Sequence, residues 1–209
     1  MSRLPTAGKD LRWGQLCLAY NVEARFSDAR LRSVAALQAT LRESFAEDLK
    51  LGPPSTLHVS IYAIVPVRWD DAVKESHWQT IGAAAIAAVK EVCADQAKLK
   101  LQFSSWRVTN HAIIALAHEP SGLIDRLRER LSVLAKHPTM PAPTYEFIHS
   151  TLARFKSPGA RGADTVEAFV RAPLELEVEV ERVRIVRERV YPSLDLDEMY
   201  SAELGAGRR

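Results

Sequence analysis

Apolar positions along the chain change period several times, and the changes mark out its elements. Leu11 to Val22 is apolar at most positions and predicts a strand buried on both faces. Ser27-Asp28 then supplies a helix N-cap, and a helical pattern runs through Leu49 with Leu31, Val34, Ala35, Leu37, Leu41 and Phe45 on one side. Gly52-Pro53-Pro54 ends it, and Leu57 to Val67 is the next strand, stopped at Pro66. A second helix is expected from Glu75 to Cys93, then strands at Leu99 to Phe103 and Arg107 to Ala117 around a turn. Gly122 to Ala135 is amphipathic, with Leu123, Leu127, Leu131 and Leu134 in its stripe. After a loop at Pro138 to Pro143 come a strand (Tyr145 to Phe155), a short helix near Asp164 to Val170, and an alternating strand from Leu174 to Val190. Gly205 to Arg209 predicts a disordered end.

The halves of this order rhyme. Each has a strand, a helix, then a strand carrying a histidine with Ser or Thr two residues on. An α+β fold of two similar lobes follows. Residues 11–200 form its single domain, and flexible segments are expected at 1–10 and 201–209.

Composition narrows the function. The 209 residues are 47% hydrophobic, enough for a full core, and the formal net charge is only +2. That balance does not suit a protein that coats duplex nucleic acid. Cys17 and Cys93 lack metal or redox spacing, which points to a reducing compartment. Residues 1–10 hold no apolar leader core, and the aliphatic run Ile81 to Val89 is too short to cross a bilayer. A cytoplasmic monomer is the expectation.

The chemistry lies in Leu57-His58-Val59-Ser60-Ile61-Tyr62 and Phe147-Ile148-His149-Ser150-Thr151-Leu152. In a strand, i and i+2 share a face, so His58 sits beside Ser60 and His149 beside Thr151. A hydroxyl can donate to a phosphate oxygen, and an imidazole can carry a proton to or from a reacting oxygen near neutral pH. Two such strands would supply acid, base and charge stabilisation without a metal, giving a bell-shaped rate between about pH 5 and 8.5. His-x-Ser/Thr alone is a weak pattern. A third match, His137-Pro138-Thr139, falls in a proline-rich loop that fixes no common face. Tyr62, Tyr145 and Phe147 share their histidines' parity and, with Tyr191 at the end of the last strand, are candidates to stack on a base. Arg154 falls opposite His149 and would reach a phosphate only if the strand bulges. Arg182, Arg184, Arg187 and Arg189, with Glu179, Glu181 and Glu188, read as a solvated, salt-bridged face. His77, His111 and His118 have no metal-ligand spacing, and neither HExxH nor a Gly-rich phosphate loop occurs.

The segments HVSI (58–61) and HSTL (149–152), 91 residues apart, resemble the duplicated H-x-S/T-hydrophobic signature of the 2H phosphoesterases. Ser60 stands where threonine is commoner, and Ser150 where a hydrophobic residue or proline is usual. The likeness extends over about residues 11–200, including HSTLARF and VRIVRERVYPS. It implies a bilobal α+β fold, with antiparallel sheets facing a central cleft and helices outside. Its cleft floor would carry His58, Ser60, His149 and Thr151. It further implies a metal-independent, cofactor-free phosphodiesterase acting on a small cyclic (2′,3′-type) or 2′,5′-linked nucleotide or an RNA end. An RNA-end processing, ligating or binding protein and a catalytically idle binding module are the alternatives. The modest charge counts against the first, and the intact four-residue set against the second.

Overall fold

In the computed structural model, the residues described are 11–45, 48–156, 169 and 171–205. In chain order they form β1 (Leu16–Phe26), α1 (Asp28–Phe45), β2 (Leu49–Lys50), a 3₁₀ turn (Pro54–Thr56), β3 (His58–Val65), α2 (Asp71–Cys93), β4 (Leu99–Val108), β5 (Ala112–His118), α3 (Leu123–Leu134), β6 (Ile148–Phe155), β7 (Leu176–Val190) and β8 (Asp195–Glu203). The architecture is α+β, as the rhyming halves require.

Strands run in the order β1-β3-β6-β5-β4-β7-β8, and β1 also pairs with β7, so six of them close into a ring. Closure gives each of those six a neighbour on both sides. β7 spans both halves: residues 176–180 pair with β4, and residues 180–190 with β1. Opposite this long strand, β3 and β6 meet at a single pair, Val59 with Ser150. The ring is therefore two antiparallel half-sheets, continuous through β7 and pinched where the two histidine strands touch.

Helices cover the ring. α1 packs against β6, β1 and β7, while α2 and α3 pack on one another and on β3. In α1, Val34, Gln38, Leu41 and Phe45 form the buried stripe, so one polar side chain interrupts an apolar series. In α3 the buried stripe is Leu123, Ile124, Leu127 and Leu131.

Several boundaries differ from those read in the sequence. β1 begins at Leu16 rather than Leu11, because Gly14 takes a left-handed conformation (φ 77°). Its N–H donates to the Tyr191 carbonyl at 2.7 Å, docking the chain start against the end of β7. α2 starts a turn early, capped by Asp70, whose side chain accepts from the Ala72 N–H at 3.0 Å. Ser104-Ser105 is no turn. β4 runs through it with a register slip, and the reversal comes at residues 109–111, where the Thr109 hydroxyl accepts the Ala112 N–H. β8 is an element that the apolar pattern does not predict, and it carries Ser201–Glu203, assigned above to a flexible tail. Ala202 and Leu204 are buried there. The short helix at 164–170 lies outside the described residues except for Phe169, which packs edge-on against Trp106 and Phe45. Residues 1–10 and 206–209 also lie outside them. Cys17 and Cys93 are free thiols. Among the described residues no helix is long and apolar enough to cross a membrane.

Leu127 is fully buried at the centre of the α3 stripe. Leu127→Ala should cost about 2–5 kcal/mol, through lost transfer energy and the cavity left behind. Urea unfolding should show a lower midpoint at unchanged m-value.

Candidate active site

The Val59–Ser150 bridge organises the site. Both residues are fully buried, so their neighbours in each strand face the other way. Around an antiparallel bridge, the residue after one partner lies across from the residue before the other. His58 therefore faces Thr151 across the seam, and Ser60 faces His149.

Both strands then bulge at the same motif position. Glu23 pairs with Ser60 but Val22 with Tyr62, so Ile61 is the extra residue in β3. Ile114 pairs with Thr151 but Ile113 with Ala153, so Leu152 is the extra residue in β6. Each bulge falls three residues after its histidine and reverses the alternation beyond it. Two expectations change as a result. Arg154 swings onto the cleft side and lines the cavity, its guanidinium 4.9 Å from the Tyr191 ring centre. Tyr62, expected beside His58, leaves the cleft; it is buried, its ring 5.5 Å from that of Tyr145, and Ala63 takes its place on the wall.

The cavity has a volume of about 310 Å³, and His58, Ser60, Thr151, Tyr145 and Tyr191 all line it. Phe147 does not. It precedes β6, its carbonyl is held by Arg128, and its ring lies beneath Arg107 and edge-on to His149. His149 is half-buried next to Thr151 and is not part of the cavity wall. The third motif match lies away from the cavity: His137 Nδ1 accepts the Thr139 and Met140 N–H groups, and its ring packs against Trp69 and His77.

The histidines occupy opposite electrostatic surroundings. His58 Nδ1 lies 2.8 Å from the Thr56 carbonyl, an arrangement that puts the proton on Nδ1. Nε2 is then left 3.1 Å from Ser60 Oγ and 3.6 Å from Glu23 Oε2. Glu23 is fully buried and Oε2 has no hydrogen-bond partner, while Oε1 accepts from Arg184 Nε at 2.6 Å. Glu188 lies on the same side, its carboxylate accepting from the Ser193 N–H and the Asn21 amide, with burial pushing its pKa up. Around His149 the charges are positive. Burial, then His58, Arg128 and Arg154, push its pKa down to about 4 against a weaker opposing contribution from the Phe147 backbone, and its Nδ1 is buried. Across the cavity Lys50 pairs in register with Arg154, its Nζ 5.5 Å from the Trp13 ring. One wall is thus acidic and the other basic.

Glu23, Glu188, Arg184, Lys50, Trp13 and Gln38 were not singled out as site residues in the sequence. Arg184 and Glu188, expected on a solvated face, are both buried. Arg182, Arg189 and Glu181 do form exposed pairs, with Glu203, with Asp195 and with Lys98. Glu23 and Gln38 carried a visible signal, each being a polar residue within a buried apolar stretch. Among the described residues, no cluster of three or more His, Cys, Asp or Glu side chains could hold a metal ion.

Solved structures with this fold are diverged in sequence. TT0787 of Thermus thermophilus superposes with a TM-score of 0.63 at 17% identity, over 91% of this chain and 100% of that one. A protein described as a phosphoesterase gives 0.61 at 12%, over 90% and 98%. LigT of E. coli, solved in complex with 3′-AMP, gives 0.56 at 12%, over 91% and 99%. No curated protein matches the chain in sequence. The family model of the 2′-5′ RNA ligase superfamily matches residues 63–191, which include His149, Thr151, Arg154 and Tyr191 but begin five residues after His58. With the match spanning more than half of the chain and the fold agreeing throughout, this chain belongs to the 2′-5′ RNA ligase superfamily, a group of 2H phosphoesterases.

Proposed function

We infer that the chain is a metal-independent phosphodiesterase that hydrolyses a cyclic, 2′,3′-type, or 2′,5′-linked nucleotide phosphate, with His149 as general base and His58 as general acid. The observation that carries this reading is the square of two imidazoles and two hydroxyls around one bridge, with opposite charge on its two sides. His149, half-buried with cations about it, is neutral and can take a proton from water. The water oxygen attacks phosphorus, and the bond to the leaving ribose oxygen breaks. That oxygen takes its proton from His58, whose Nε2 lies 3.6 Å from the Glu23 carboxylate. Ser60 and Thr151 donate to the phosphate oxygens, with Arg154 and Lys50 on the same basic side. Tyr145 and Tyr191 offer ring faces for a base. A nucleotide ligand is also supported by LigT, which has been solved with 3′-AMP, with NADP+ and with ATP.

His58→Ala and His149→Ala should each lower kcat by about 10²–10⁴-fold while keeping native circular dichroism. Ser60→Ala and Thr151→Val should each cost about 10²-fold. The two histidine variants should differ on substrates with a nitrophenolate leaving group. That group departs without a proton, so His58→Ala should recover much of its rate and His149→Ala should not. Near-normal turnover in a folded variant would remove that side chain from the mechanism.

The pH profile should be bell-shaped. Its acid limb should follow protonation of His149 near pH 4, below the 6.5 of an unperturbed histidine. Its alkaline limb should follow loss of the proton from the general acid. Glu23→Gln removes the carboxylate 3.6 Å from His58 Nε2 and should lower kcat while the acid limb stays in place. A parent-like kcat would mean that Glu23 does not act on the general acid.

Acid, base and charge stabilisation all come from side chains in this reading. Activity should therefore survive EDTA, measured on protein dialysed against the chelator. Loss of activity with recovery on adding Mg²⁺, Mn²⁺ or Zn²⁺ would overturn it.

A further inference from the structure

A β-bulge breaks the local ladder and leaves the extra residue's carbonyl in need of a donor. Here the two bulge carbonyls, on Ile61 and Leu152, are each met by a side chain from a helix. Gln38 of α1 donates Nε2 to the Leu152 carbonyl at 2.9 Å and to the Gly52 carbonyl at 3.3 Å. Arg128 of α3 donates Nε to the Ile61 carbonyl at 3.1 Å and Nη2 to the Phe147 carbonyl at 3.2 Å.

The connections are crossed. Gln38 lies in the first half of the chain and holds the bulge of the second half's motif strand. It also holds the approach to its own motif strand, since Gly52 precedes β3. Arg128 lies in the second half and does the reverse: it holds the bulge of β3 and the residue that leads into β6. Each side chain thus ties both motif strands, although the strands themselves share only the Val59–Ser150 bridge. Arg128 also covers the Tyr145 ring at 4.7 Å, and the Tyr145 hydroxyl accepts the Ala63 N–H just beyond the β3 bulge.

We propose that Gln38 and Arg128 are a matched pair of positioning residues, crossed clamps that set the spacing of His58 and Ser60 against His149 and Thr151 across the single-bridge seam. One bridge fixes one point of contact between two strands and leaves their angle free. Two clamps on opposite sides of the bridge, at equivalent bulges, remove that freedom. Arg128 lies outside the cavity, and Gln38, on its wall, has its amide nitrogen held by the Leu152 and Gly52 carbonyls; both act through the backbone that carries the four side chains. Geometry errors of about 1 Å at a reacting centre can cost about 10²-fold in rate. The assignment of a catalytic role to the clamped side chains rests on the phosphodiesterase reading, whereas the clamping itself does not.

The test uses Gln38→Met and Arg128→Met, which keep side-chain bulk and remove the donors, together with Arg128→Lys. Lysine keeps the charge, but a single ammonium cannot reproduce the planar two-nitrogen span between the Ile61 and Phe147 carbonyls. Two readouts are needed: steady-state kinetics on the parent's best phosphodiester substrate, and amide hydrogen exchange followed by mass spectrometry. Each Met variant should lose about 10–100-fold in kcat with KM within about twofold of the parent. Both motif segments, residues 58–63 and 149–154, should exchange faster in each variant, including the segment whose bulge is not held by the replaced side chain. Arg128→Lys should show the same pattern at smaller amplitude, and it serves if Arg128→Met fails to fold. Faster exchange with parent-like kcat would make the clamps structural only and overturn the positioning role. Unchanged exchange would overturn the clamps themselves. Failure of the parent on every phosphodiester offered would instead count against the proposed function, with the exchange result still standing.

Discussion

The site depends on one backbone pair. Val59 and Ser150 form the only bridge between the histidine strands, and both side chains are buried on the far face. The strand period of two then forces the flanking residues onto the near face, and the antiparallel direction sets each histidine opposite a hydroxyl of the other strand. Ser150 suits this place because the strand pairs on both sides, with Val59 of β3 and Ala115 of β5. Small or β-branched side chains let three strands converge there. The rest of the ring serves to hold this contact, with β7 tying the half-sheets together on the other side.

Pseudo-symmetry supplies the frame, and departures from it supply the chemistry. The two strands have the same motif spacing and the same bulge, yet what stands five residues after each histidine differs: Ala63 in one half, Arg154 in the other. Beneath the first histidine lies the Glu23–Arg184 pair, and about the second lie Arg128 and Arg154. Two chemically equal imidazoles thereby acquire unequal surroundings, which is what the proposed division into one acid and one base calls for. A strictly symmetric site would have to rely on chance occupation of the mixed protonation state.

The extent to which this was legible in the sequence follows from which physical signals are local. The histidine–hydroxyl pairs are local, because period two puts i and i+2 together in any strand. Helix stripes are local too, and the Gln38 interruption of the α1 stripe was there to be seen. Bulges are not local. Nothing in Ile61 or Leu152 marks them as extra residues, since the slip is defined only against β1 and β5. The parity argument therefore failed for both Tyr62 and Arg154, for one reason and in opposite directions. β8 (DLDEMYSAE) lacks apolar alternation because it is an outer strand bound on one side, and β2 is too short to carry any period. The buried charges of β7 were hidden by their company. Arg184 and Glu188 sit among Arg182, Arg187 and Arg189, and composition alone cannot separate an inward ion pair from a solvated one.

Those buried charges also constrain how the site can evolve or be altered. Glu23 is taken out of water, and Arg184, itself inside, is what offsets that cost; removing the cation alone would strand a carboxylate in the core. Replacing both members together would be the milder change. The second Glu23 oxygen, turned to His58 and otherwise without a partner, is the part that a purely structural ion pair would have satisfied elsewhere. A buried acceptor left open toward one imidazole is costly for stability, a cost that the proposed role of His58 as proton donor would account for.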